Sequence, residues 1–253
     1  MLPIIKYILL SGLRDRLYIG VFISLVASFG LSIFLGSTFM IEASETTAAF
    51  IAGSSRIILV VGMILFVCLA IHRAFTHKEI EFMLAKAISR HRFILAYLIG
   101  FLTAAALIVT PLILTILILT KTDKTGLLLW SLSLFLELWI VISFAILTSL
   151  ILRSSFAAIL STMAFYLISR LMGIFVLAIN LPQDFVQIKN NILPSILKII
   201  SLFFPRLDLF AQSQWMVYGI SDFSQIKIIL LQSLIYIAMM TFMSFYDFSR
   251  KQF

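Results

Sequence analysis

The chain has 253 residues, of which 62% are hydrophobic and 12% charged, with a mean hydropathy of +1.14. A water-soluble domain is ~45–50% apolar and ~25% charged, so the composition excludes one and points to a membrane protein. The single cysteine, Cys68, excludes an internal disulfide or a cysteine metal centre, and the net charge of +8 lies scattered between apolar runs, where it sets topology and meets acidic lipid rather than nucleic acid.

The first apolar run, Leu2 to Leu10, is broken by Lys6, and no small-x-small cleavage site precedes Arg14. It does not read as a cleaved signal, and it is expected to remain in the protein. Residues 1–16 are expected to form an amphipathic interfacial helix, with Ile4, Ile5, Ile8 and Leu9 opposite Lys6 and Arg14. A first span follows from about Leu17 to Ile41. It carries Gly20, Ser24, Ser28, Ser32 and Gly36, small residues spaced four apart. Such a stripe lets another backbone approach closely, either within the bundle or as a subunit-packing surface.

Glu42 to Gly53 reads as a polar loop and Ser55 to Phe75 as the second span. Thr76 to Phe93 is the densest run of charge, with Glu79, Glu81, Lys86, Arg90 and Arg92 set round a face made by Ile80, Leu84 and Ala87. The third span, about Phe93 to Leu119, contains Pro111, which is expected to kink it. A turn at Lys121–Gly126 leads to the fourth span, about Leu127 to Leu152, and Arg153–Ser155 to the fifth, about Phe156 to Ala178.

Residues 179–225 differ in holding Pro182, Pro194 and Pro205 and two apolar patches too short to span. Helices are expected over Ile192–Phe204 and Leu207–Tyr218, the second stopped by Gly219, with Trp215 and Tyr218 suited to the head-group level. The segment reads as a re-entrant or interfacial lid. The last span runs from about Ile226 to Phe248.

The fold class is therefore all-α: one polytopic domain, residues 1–253, with six transmembrane helices. Six spans place both termini on one side, with Lys6, Arg14, Arg16, Arg73, Lys78, Lys86, Arg90, Arg92, Arg153, Arg250 and Lys251. Fewer basic residues lie on the other side, so both termini are expected in the cytosol. Two charges sit within spans, Glu137 and Arg170. At ~1.5 Å per residue they lie about 15 Å and about 12 Å from the outer ends of neighbouring spans, at depths that let them pair. A salt bridge fixing helix register is the preferred reading, and a substrate or proton site the alternative.

No G-x-x-x-x-G-K-[ST], H-E-x-x-H or G-x-S-x-G occurs, and His72, His77 and His91 make no convincing metal site. No catalytic residue, metal ligand or cofactor site is assigned to this chain.

In layout the chain resembles a type-2 permease of the ATP-binding-cassette transporters. The similar features are six spans, the charged stretch EIEFMLAKAISRHR between the second and third, and short helices between the fifth and sixth. Glu79, Leu84, Ile88, Ser89 and Arg90 match the family pattern; Ala87 replaces its usual proline, Tyr97 its usual lysine, and the glycine near Phe82 is missing. Phe204-Pro205-Arg206-Leu207-Asp208-Leu209-Phe210, with Gly219 after it, is also similar to the outer helices of some members.

The resemblance implies that residues 76–93 form a coupling helix docking on a separate ATPase subunit, through Glu79, Glu81, Leu84, Lys86, Arg90 and Arg92. ATP and Mg would bind on that partner, with none on this chain. It also implies a second permease subunit, in a homodimer or heterodimer with the homodimer preferred, packed on the Gly20–Gly36 stripe in a bacterial cytoplasmic (inner) membrane. The function expected is that of an exporter subunit for a lipid-like or amphipathic substrate. The alternatives are a non-transporting assembly factor coupled to an ATPase, or a secondary transporter using Glu137 and Arg170.

Overall fold

The computed structural model describes residues 2–38, 43–78, 89–119, 123–152, 154–180, 203–219 and 224–250. All regular structure among them is helical: α1 (Leu2–Arg14), α2 (Arg16–Ser37), α3 (Ala43–Thr76), α4 (Arg90–Leu119), α5 (Lys124–Ile151), α6 (Ser155–Asn180), a 3₁₀ turn (Leu207–Leu209), α7 (Gln214–Tyr218) and α8 (Ser224–Arg250). Six of these, α2 to α6 and α8, are long and apolar enough to cross a bilayer. The protein is an integral membrane protein.

Asp15 separates α1 from α2. Its side chain accepts the Leu17 amide at 3.0 Å, satisfying one of the donors a helix start leaves open, and its backbone is extended. Asp123 does the same for α5, accepting from the Gly126 amide at 3.0 Å. Pro111 lies inside α4, which continues past it to Leu119.

The bundle is built around α5, whose apolar residues go all the way round the helix. Its span is 72% buried inside the chain, whereas that of α2 is 17% buried and packs mainly on α3. Trp130, Leu134, Leu138 and Ile142 are fully enclosed on α5. Because lipid is as apolar as leucine, what distinguishes this core is close fit and paired polar groups rather than loss of water contact.

Two sequence expectations are corrected. Residues 43–53, expected as a polar loop, are the first turns of α3, with Ala48, Ile51 and Ala52 buried. At ~1.5 Å per residue this 34-residue helix is about 51 Å long, well beyond the ~30 Å hydrocarbon thickness, so it stands out of the apolar layer. Leu207–Tyr218, expected as one helix, is instead a 3₁₀ turn, an irregular bend and the short α7. Ala211 sits there at φ 45°, which stops helix propagation. Gly219, at φ 70°, does end α7 as expected. The helix expected over Ile192–Phe204 lies almost wholly outside the described residues.

Candidate functional site

Two regions carry the charges singled out in the sequence. The first is the connector between α3 and α4. Glu79, Glu81, Leu84 and Lys86 lie outside the described residues; Arg90 and Arg92 lie within them, Arg92 exposed. On the α3 side of the connector, Arg73 forms an ion pair with Asp15, the residue between α1 and α2. On the α4 side, Arg90 Nη1 donates to the carbonyls of Phe248 at 3.0 Å and Ser249 at 2.8 Å, at the end of α8. The ring of Phe93 stacks on Phe248 with centroids 5.5 Å apart. Each end of the connector is thus fastened to a different helix of the bundle.

The second region lies toward the other end of the bundle. Glu137, on α5, is completely buried, and Arg170 Nη1, on α6, lies 4.0 Å from its Oε1, the outer limit of an ion pair. The arginine spends its hydrogen bonds elsewhere. Arg170 Nη1 donates to the carbonyls of Leu207 and Phe210, the latter at 3.0 Å. Neither Glu137 oxygen accepts a hydrogen bond among the described residues. The Tyr166 hydroxyl is near enough to act on the carboxyl but falls short of hydrogen-bond geometry.

Arg56 completes the arrangement from α3. Its charge acts on both Glu137 and Arg170, and its Nη1 donates to the Ala211 carbonyl at 3.0 Å. Ser133, one turn before Glu137 on α5, accepts the Ala211 amide at 2.9 Å. Asp208 pairs with Arg206 at 3.0 Å and also acts on Arg170. Three helices therefore grip one short turn, residues 207–211, almost entirely by its backbone groups.

Two glycines let the segment 207–215 come this close. A Cβ at Gly173 would lie 2.7 Å from an Asp208 carboxylate oxygen, and one at Gly126 would overlap the Trp215 carbonyl.

The sequence brought Glu137 and Arg170 to one depth, and they do face each other. It missed Arg56, Ser133, Tyr166 and Asp208. The signal for two of them was spacing: Ser133 and Glu137, like Tyr166 and Arg170, are four apart and share a helix face. Arg56 carried no such signal, because it sits where the second span was expected to begin.

The small-residue stripe is divided. Ser32 and Gly36 are buried, Ser28 Oγ donates to Ser54 Oγ at 2.7 Å, and a Cβ at Gly36 would overlap Thr47. These three pack α2 on α3 within the chain. Gly20 and Ser24 instead line an open groove of about 410 Å³ beside Ile57, Val61 and Leu65. Among the described residues no group of His, Cys, Asp and Glu is placed to hold a metal.

No family model matches the chain, and no curated protein matches it in sequence.

Proposed function

We propose that this chain is the membrane subunit of an ATP-driven exporter for a lipid-like or amphipathic substrate, moved by a separate ATPase that grips the connector at residues 76–93. The observation carrying this reading is the pair of arginine ties flanking the connector. A push on a loose loop would be dissipated in that loop. A push on this connector passes through Arg73 to Asp15, where α1 meets α2, and through Arg90 to the end of α8. Short charged links of this kind are what a permease without its own nucleotide site needs in order to be driven. The six-span layout, and the outer segment seated between α3, α5 and α6, are consistent with it.

The test is a pull-down with candidate ATP-binding-cassette ATPase subunits from the same cell, using the full-length chain. Charge reversal at Glu79 and Glu81 is expected to abolish capture while membrane insertion stays normal. Capture equal to that of the unaltered chain would end the coupling reading.

A second reading is favoured by the outer segment, where Phe203 and Tyr218 are 68% and 81% exposed. An ATPase-coupled assembly factor would use such a surface to move a protein partner, without transporting anything. ATP-dependent substrate movement in sealed vesicles containing both subunits separates the two: movement supports the exporter, and its absence with intact ATPase binding supports the assembly factor.

A further inference from the structure

The cluster of Arg56, Glu137, Arg170, Arg206 and Asp208 holds three guanidiniums and two carboxylates, so within the cluster of described residues the positive charges outnumber the negative by one even with Glu137 ionised. Its polar groups are also short of partners. Among the described residues, Arg56 Nε, Arg206 Nε, Asp208 Oδ1 and both Glu137 oxygens are buried without a hydrogen bond. Buried polar atoms are nearly always paired, so this many together mark a place arranged for something other than stability alone.

The two arginines already show what they bind. Arg56 and Arg170, from different helices, converge on the three carbonyl oxygens of Leu207, Phe210 and Ala211. A guanidinium fork suits the oxygens of a phosphate better than it suits carbonyls, because its charge is then neutralised as well as hydrogen-bonded. Apolar surface is exposed alongside among the described residues. The Arg170 side chain is 24% exposed, and Leu167, Leu171 and Ile174 of the same helix are exposed around it. An acyl chain laid on those residues would bring a phosphate to the guanidinium.

We propose that Arg56 and Arg170 form a recognition site for the anionic phosphate head group of an amphiphile, with the 207–211 turn holding the site closed by placing its carbonyl oxygens where the phosphate oxygens would bind. This rests on the exporter reading for its purpose, since it supplies that reading with a substrate class: a phosphate-bearing amphiphile entering sideways from the lipid. The turn and the ligand compete for the same donors. Anything that loosens the turn without touching the arginines therefore tightens ligand binding. Ser133 is such a lever, because its side chain holds the Ala211 amide and, among the described residues, no other group.

The experiment titrates dioctanoyl phosphatidylglycerol, dioctanoyl phosphatidylcholine and inorganic phosphate into the purified full chain in neutral detergent. The readout is tryptophan fluorescence, since Trp130 and Trp139 flank the cluster on α5 and Trp215 lies beyond the turn. Saturable binding of phosphatidylglycerol is expected, with far weaker binding of the choline lipid. R56Q and R170Q should each weaken it by about tenfold or more, as loss of a buried charged partner does. S133A should strengthen it by roughly threefold, the loss of one modest hydrogen bond from the competing turn.

Equal binding of the choline lipid would overturn head-group recognition, and unchanged affinity in both arginine variants would place the site elsewhere. Phosphate binding as tightly as the lipid would keep an anion site and overturn the amphiphile. Should the arginine variants fail to fold, S133A decides alone, because weaker or unchanged binding there overturns the competition. The titration involves no ATPase, so its failure leaves the connector pull-down free to decide the exporter reading separately.

Discussion

Arg90 at the start of α4 donates two hydrogen bonds to the last turn of α8, through the carbonyls of Phe248 and Ser249. A cation at the carbonyl end of a helix is favourable both as a hydrogen-bond donor and against the helix dipole. The contact joins residues 158 and 159 positions apart, so it also closes the bundle on the face that holds the termini. R90A is expected to lower stability by about 1–2 kcal/mol, within the range for hydrogen bonds from a charged donor that is only partly buried. Thermal unfolding in detergent would register this as a lower Tm, together with earlier proteolytic loss of the carboxyl-terminal turn. R90K should retain part of the contact, since it keeps the charge but loses the forked geometry. An unchanged Tm in R90A would show that the Arg90 contact does not hold α8 in place.

The Glu137–Arg170 pair makes unequal demands on its two members. Removing Glu137's charge leaves Arg170 with its bonds to Leu207 and Phe210. Removing Arg170 leaves a fully buried carboxylate and also frees two carbonyls of the turn. E137Q should therefore cost less than R170Q, whose loss approaches the about 3–5 kcal/mol seen when one partner of a buried pair is deleted. The double variant should be less unstable than the sum of the two. Additive losses in that cycle would mean that the two charges do not communicate across 4.0 Å.

What could be read from the sequence follows from which forces are local. The six spans were legible because bilayer thickness fixes a minimum apolar run, and each run is long enough to meet it without knowledge of its neighbours. The facing of Glu137 and Arg170 was legible from equal depth, since a hairpin of two antiparallel helices leaves little choice. The broken segment 207–218 was not, because its shape is set by Arg170 and Arg56 drawing carbonyls from distant helices, and by Ala211 in a left-handed conformation. The early start of α3 was hidden for a related reason. Polar residues 45–47 look like loop until Gly36 and Ser32 of α2 are laid against the same helix.

The division of the α2 stripe gives opposite expectations for two glycines of the same helix. G36A introduces a methyl into the Thr47 side chain and should cost about 1–3 kcal/mol as overpacking. G20A meets no neighbouring atom within 4 Å among the described residues and should leave stability near that of the unaltered protein. If Gly20 and Ser24 receive a second copy of the chain in their groove, the larger G20L should reduce the dimer fraction by light scattering while the monomer keeps its Tm. A molar mass identical to that of the unaltered protein would confine the stripe to packing within one chain.

Asp123 offers a test of the start of α5 by pH. Its carboxylate accepts from the Thr125 hydroxyl and from the Gly126 amide, and these bonds hold its pKa below the ordinary aspartate value. A carboxyl whose folded pKa is depressed takes up its proton more readily in the unfolded chain. Its contribution to stability is therefore fully present above the unfolded value of about 4, and it disappears as pH falls through the lower folded value. D123N keeps an oxygen able to accept from the Gly126 amide but has no charge to lose. The unaltered protein should exceed D123N in Tm at neutral pH, and the gap should narrow as the buffer is taken below about pH 4. A gap that stays constant down to the most acid buffer tolerated would show that the cap acts through shape alone, with no part for the negative charge at the start of α5.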